Sequence, residues 1–299
     1  MTYSILARDS QTGEMGVATQ SQALAVGSSV PWAMAGHGVI ATQSMGEPAY
    51  GQLGLQMMAD GLTAPEALTA LRSVDPHPER RQVAMIDSRG EIALYTGQAC
   101  LDAAGELVGD GCCAVANMVA SASVWQAMVH DFASTTGSLA ARLLAALHAA
   151  EEQGGDIRGR RSAAIVVVRA QCSGRPWRDT VVDHRIDDHP DPVTELDKIV
   201  EHSTRYHRMV TAFEAALDGR ADAAAEDIDT MPLEDPTVDA DMLMWRAIIL
   251  ALAGRERDAA TLFATLHRHS PGFVDIARQF RDAGVTPASA LLDQVLAES

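Results

Sequence analysis

Lysine is almost missing from this chain. Of 23 basic side chains in 299 residues, only Lys198 is a lysine; the others are arginine. Lys198 follows no GxxxxGK loop, which excludes a Walker-A nucleotide site, and no SxxK pair exists. Ahead of residue 198 there is no amine side chain to form a Schiff base, hold pyridoxal phosphate or steady a deprotonated nucleophile. Chemistry in the first half must use Arg, His, carboxylates, hydroxyls, thiols or an α-amine. Long apolar runs are also missing: no stretch reaches 18 residues, so no spanning helix is expected. The start, Met1-Thr2-Tyr3-Ser4, lacks a basic stretch followed by an apolar one, so no secretory signal is expected.

Cysteine is scarce. Cys100, Cys112, Cys113 and Cys172 form no CxxC pair and have no zinc spacing. The vicinal pair lies in an apolar run and reads as two small core residues. Free thiols in a reducing cytoplasm are expected. Bases are outnumbered by 40 acids, for a net charge of −17, which speaks against nucleic-acid and anionic-membrane partners.

What is present is a core-forming chain, 47% hydrophobic, long enough for one large or two ordinary domains. Residues 2–8 and 14–20 read as a hairpin, 39–43 as a strand, and 50–60 and 64–73 as helices. A second hairpin, 82–95, turns on Ser88-Arg89-Gly90. Then follow a strand at 112–116, helices at 124–133 and 138–153, and strands at 162–169 and 180–186. Bunched strands and paired helices fit two packed sheets covered by helices better than a βαβ alternation. The composition changes near His189-Pro190-Asp191-Pro192, giving an α+β domain at 1–188 and an all-α domain at 189–299. From Ile186 onward there are 22 acids and 10 bases, so −12 of the net charge belongs to the tail. The tail repeats itself: Ala216-Leu217-Asp218-Gly219-Arg220 recurs as Ala251-Leu252-Ala253-Gly254-Arg255, and Pro236 as Pro271, 35 residues on. Helical hairpins of the tetratricopeptide type have a period of about 34 residues. An ordinary bundle that reuses a Gly-Arg turn is the alternative.

Several motifs lead nowhere. Two GxGxxA matches, at Gly36 and Gly109, run into strands rather than from strand to helix, so no dinucleotide site is expected. There is no GxSxG elbow. The 183–189 cluster DHRIDDH has metal-ligand residue types but sits at a domain boundary around an arginine, and reads as solvated linker. Neither metal nor cofactor is expected. Thr2 is the remaining candidate. With Met1 removed, Thr2 carries a hydroxyl and an α-amine, whose unperturbed pKa is about 7.7–8.0, so one residue supplies nucleophile and base.

The segments TYSILARDSQTGEMGVA, LAVGSSVPWA, GVIATQS, AYGQLGLQMMADGLTAPEAL, RQVAMIDSRG, TGQAC, AVANM and GGDIRGRRSAAIVVV, in this order over about residues 2–186, resemble a bacterial family of Ntn-hydrolase-like proteins, Ntn meaning N-terminal nucleophile. The resemblance implies a four-layer αββα sandwich of the proteasome type with the nucleophile at the start of the first strand. It assigns Thr2 as nucleophile and base, and the Gln43-Ser44 strand end as an oxyanion donor. Asn117 matches a family asparagine able to donate to a substrate carbonyl. Asp156, Arg161 and Ser162 occupy the turn that holds an acid and a hydroxyl near the α-amine. Ser21 stands where proteasome-like relatives carry an acid, and their lysine is absent. The reading that follows is an amidohydrolase acting on a small amide or lactam, with Arg8, Arg158 or Arg161 holding a substrate carboxylate. The alternative is a non-catalytic scaffold whose acidic helical tail binds a basic protein or peptide partner. Such sandwiches often associate, so the resemblance is compatible with a homodimer.

Overall fold

Strand β1 (Thr2–Arg8) is buried on both faces, as a central strand is. Its alternation sends Tyr3, Ile5 and Ala7 into one core and Leu6 into another. The following turn is closed by Asp9, whose Oδ1 accepts the N–H of Gln11 and of Thr12, both at 2.8 Å. Gly13 there has φ +73°, a conformation glycine adopts without strain. Strand β2 (Met15–Ser21) then pairs back along β1. The structure, a computed structural model, describes residues 2–232 and 235–298.

The remaining strands are β3 (Pro31–Met34), β4 (Gly38–Ser44), β5 (Arg81–Asp87), β6 (Ile92–Thr96), β7 (Gly105–Gly109), β8 (Cys112–Asn117), β9 (Ser162–Val168) and β10 (Thr180–Ile186). They form two sheets, ordered β10-β9-β2-β1-β8-β7 and β3-β4-β5-β6, and every pairing is antiparallel. Between the sheets lies a core that includes Leu6, Val17, Val39, Ala84 and Val115. Helices α1 (Pro48–Ala59) and α2 (Ala64–Val74) cover the outer face of the smaller sheet through Tyr50, Leu55 and Leu68. Helices α3 (Ser123–Ser134) and α4 (Leu139–Glu152) cover the larger one through Met128, Phe132, Leu143 and Leu147. The layers thus run helix pair, sheet, sheet, helix pair. Cys112 and Cys113 point to opposite faces of β8, each into a core, and burial pushes both thiols up, Cys112 to about 11.

Helix α5 (Pro192–Leu217) begins the helical region, followed by α6 (Ala221–Asp229), α7 (Ala240–Leu252), α8 (Glu256–His269), α9 (Pro271–Asp282) and α10 (Ala290–Glu298). The repeated Gly-Arg turn closes α5 and α7 alike: Gly219 has φ +84° and Gly254 φ +76°. A core of its own, including Phe213, Ile248, Phe263 and Leu296, holds these helices together.

The chain divides into a compact unit ending at Val200 and one beginning at Glu201, twelve residues beyond the boundary read from composition. The reason is hydrophobic. Val193, Leu196 and Val200, in the first turns of α5, are buried in the core of the α3–α4 layer. Lys198 accordingly counts with the first unit, where it is exposed and paired with Glu195 at 2.8 Å. The metal-like 183–189 segment is not all linker, because Asp183–Ile186 end strand β10. Among the described residues no group of three His, Cys, Asp or Glu side chains could hold a metal ion, and no helix is long and apolar enough to cross a membrane.

Candidate functional site

Strand register assembles the site. Thr2 pairs with Asn117, Ser21 with Ser162, and Gln43 with Gln82, so the ends of six strands meet where β1 begins. A cavity of about 300 Å³ opens there. Thr2 lines it and is 5% exposed. One wall comes from the 23–30 loop through Ala23, Leu24, Val26 and Val30; the other comes from Thr42 to Pro48, with Gln43 and Ser44 among its residues; Arg158 completes the lining. Met1, whose removal the Thr2 reading requires, lies outside the described residues.

Thr2 Oγ1 donates to Ser21 Oγ at 3.2 Å, and Ser21 Oγ also accepts the Ala23 N–H at 3.0 Å. The Thr2 carbonyl accepts from Gln43 Nε2 at 3.0 Å and from Asn117 Nδ2 at 3.5 Å. The two amides converge on Gln82: its Oε1 accepts from Gln43 at 2.8 Å and from Asn117 at 2.9 Å, while its Nε2 donates to the Ala116 carbonyl at 2.9 Å. All three side chains are essentially sealed from solvent. The cluster ties the two sheets together at the β1 end and fixes the carbonyl of Thr2. It corrects two expectations. Asn117 does not line the cavity, and its amide serves Gln82 and the Thr2 backbone rather than a substrate. The Gln43 amide is likewise spent, on the Thr2 carbonyl, Gln82 and the Val115 carbonyl, and is not available to an oxyanion.

The turn ahead of β9 is organised by Asp156. Its Oδ2 accepts the Gln22 N–H at 3.0 Å, its Oδ1 accepts the Arg158 N–H at 2.9 Å, and the Arg158 guanidinium pairs with it at 3.1 Å. The Ser162 Oγ donates to the Ala23 carbonyl at 2.6 Å and accepts the Val26 N–H at 3.0 Å. Asp156 and Ser162 therefore brace the loop that walls the cavity instead of reaching into it. On the far face of β1, the Tyr3 hydroxyl donates to Glu151, and Glu151 pairs with Arg160 at 2.6 Å. Burial, reinforced by Glu151, holds the Tyr3 phenol well above its ordinary range; burial also raises Glu151.

Two arginines fall elsewhere. Arg8 is at the opposite end of β1, donating to the Ser88 carbonyl at 3.0 Å and standing at the last of the seven strand residues that begin with Thr2, each step roughly 3.3 Å. Arg161 is exposed and paired with Asp188 at 2.8 Å. Of the three candidate carboxylate anchors only Arg158 lines the cavity. Gln82 was not foreseen. Its one signal is a polar residue just ahead of the apolar run Val83-Ala84-Met85-Ile86 in β5.

Backbone strain marks the same place. Three non-glycine residues have positive φ among the described residues: Ala25 (52°), Ser44 (71°) and Met118 (53°). Ala25 is in the wall loop, Ser44 lines the cavity, and Met118 follows Asn117. Such conformations persist only where surrounding structure enforces them, and they gather at functional sites.

A family model described as a family of unknown function, DUF1028, matches residues 2–196. No curated protein matches the chain. Among solved structures, a Silicibacter pomeroyi protein assigned to the same family model is 34% identical at a TM-score of 0.62, with 68% of this chain and 86% of that one covered. The Anbu protein (ancestral beta-subunit) of Yersinia bercovieri is 11% identical at a TM-score of 0.34, with 68% and 95% covered. With nearly two thirds of its length matched by the model and 34% identity to the Silicibacter protein over the aligned part, the chain belongs to the DUF1028 family.

Proposed function

We propose that the protein is an N-terminal-nucleophile amidohydrolase acting on a small amide or lactam. The observation that carries this is a threonine hydroxyl at the head of a central strand, lining a cavity of about 300 Å³ and hydrogen-bonded to a serine. The helix–sheet–sheet–helix layering and the strained Ser44 beside Thr2 support it. In this reading the Thr2 Oγ attacks the substrate carbonyl carbon while the freed α-amine takes the hydroxyl proton. The amine passes that proton to the departing nitrogen, which leaves an ester on Thr2. Water, deprotonated by the same amine, then hydrolyses the ester. Backbone N–H groups at the Gln43-Ser44 end stabilise the oxyanion. Free thiols fit a reducing cytoplasm.

The test begins with intact mass, which should lack Met1. A β-lactone electrophile should then add once, on Thr2, and not at all to Thr2→Ala. Retained Met1, or an equal adduct on the variant, overturns the proposal. A second reading draws on the Gln43 amide being fully engaged and on the absence of lysine from the cavity: a scaffold whose acidic helical repeat, similar to the tetratricopeptide type, binds a basic peptide. In that case the lactone leaves the protein unmodified.

A further inference from the structure

We propose that the Thr2 cavity selects small amides that carry a carboxylate and an aliphatic acyl chain, with Arg158 as the carboxylate anchor; this rests on the amidohydrolase reading of the same cavity. The cavity lining contains one formal charge, Arg158, and no acid. That is notable in a chain whose 40 acids outnumber its bases. Arg158 is 39% exposed and is held in place from behind by Asp156, whose side chain is sealed from solvent. Arg158 gives Nε at 3.3 Å and Nη2 at 3.1 Å to Asp156, and a planar guanidinium with five N–H donors is the side chain best matched to a ligand carboxylate.

The rest of the lining divides into an apolar set, Ala23, Leu24, Val26, Val30 and Pro48, and a polar set, Thr2, Ser29, Thr42, Gln43 and Ser44. Three large apolar side chains stand more than half exposed where the lining segments reach the surface. Leu24 belongs to the lining, Met45 sits between the lining residues Ser44 and Gly46, and Ile157 precedes Arg158. Exposed apolar residues that gather around one cavity mark a binding surface more than scattered ones do. The volume is at the lower end for small-molecule pockets and suits a small amide. An aliphatic chain against this rim and a carboxylate on Arg158 would place an amide carbonyl between them, over Thr2.

The test is calorimetric, on the full chain carrying Thr2→Ala so that nothing is turned over. The probes are N-hexanoylglycine, N-acetylglycine and the neutral N-hexanoylglycinamide. N-hexanoylglycine should bind at least about tenfold more tightly than either of the others. Adding Arg158→Gln should abolish the preference over the glycinamide, and Arg158→Lys should restore part of it. Adding Leu24→Ala should narrow the preference over N-acetylglycine. Melting temperatures of the variants separate lost binding from lost folding; if Arg158→Gln does not fold, the glycinamide comparison and Arg158→Lys decide alone. Equal binding of the charged and neutral probes, or no binding at millimolar concentration, overturns the proposal. Binding that tracks Arg158 in a protein whose Thr2 takes no lactone keeps the anion site and removes the chemistry. Lactone labelling without carboxylate preference does the reverse.

Discussion

Ser21 and Asp75 show how single side chains act on the Thr2 cavity and on the fold that holds it. Ser21 Oγ is the acceptor for the Thr2 hydroxyl and also closes the Ala23 turn. Ser21→Ala removes that acceptor without changing the strand. Losing the bond from Thr2, about 1 kcal/mol, lets the hydroxyl rotate, while the Ala23 N–H, on an exposed residue, can turn to solvent. Lactone labelling of Thr2 should slow by about fivefold, with the melting temperature nearly unchanged; an unaltered rate would show that the hydroxyl is oriented by something else. Asp75 acts on stability. It accepts from Arg81 at 2.9 Å and from the Tyr50 hydroxyl at 3.0 Å, and the Arg81 hydrogen bonds hold its carboxyl down at about 2. The folded protein thus binds this proton less readily than the unfolded chain does. The stabilisation is therefore present above the ordinary carboxylate range near pH 4 and is lost as pH falls toward 2. With allowance for solvent screening it amounts to about 1–2 kcal/mol. Asp75→Asn should lower the midpoint of thermal unfolding at pH 7 by about 3–8 °C, with the gap closing between pH 4 and 2. A gap that stays constant with pH would mean that the charge is not what stabilises.

At the scale of elements, the strands buried on both faces were legible, as were the edge strands β6 and β10, whereas the edge strands β3 and β7 were not. The runs of Thr2–Arg8, Cys112–Asn117 and Ser162–Val168 are apolar enough to be read directly. The edge strand Pro31–Met34 opens on proline and carries the half-exposed Trp32 and Met34; edge strand Gly105–Gly109 is bounded by glycines and largely solvated. Edge strands need only one partner and so carry little pattern. Thr2 was legible because a strand that starts at the second residue sets it apart, whereas Ser44 and Asp156 came only with the family resemblance, and Asp156 lies behind the cavity wall and not in its lining. The Gln43–Gln82–Asn117 cluster was not legible, because it depends on how one sheet stacks over another, which no local period encodes. Helix α1 gives an element-level prediction. At Gly51 a Cβ would stand 2.3 Å from Trp32 Cγ, and at Gly54 one would stand 2.7 Å from Ile40 Cδ1. The absence of these side chains lets α1 lie close on the smaller sheet, with its first residue, Pro48, in the cavity wall. Gly51→Ala must push α1 or the indole aside, at a cost of about 1–3 kcal/mol. Both thermal stability and lactone labelling should fall; a variant that keeps both would place α1 outside the support of the site.

At the scale of the whole molecule, acidity and core do not follow the same boundary. The composition changes at His189-Pro190, because that is where the acids begin to accumulate and the strands stop. The core changes later, because α5 gives Val193, Leu196 and Val200 to the first unit and Met209, Phe213 and Ala216 to the second. A boundary drawn from composition would cut three buried side chains out of the layer beneath β1. Burying each fully is worth about 1.5–3 kcal/mol, and an unfolded chain already hides part of that surface, so together they contribute on the order of 4 kcal/mol. A chain ending at Val200 should therefore fold cooperatively, while one ending at Asp188 should unfold about 10 °C lower, or fail to accumulate. Thermal unfolding of the two chains, followed by circular dichroism, checks this. Coincident midpoints would show that the first turns of α5 merely lie against the sandwich and that its core closes without them.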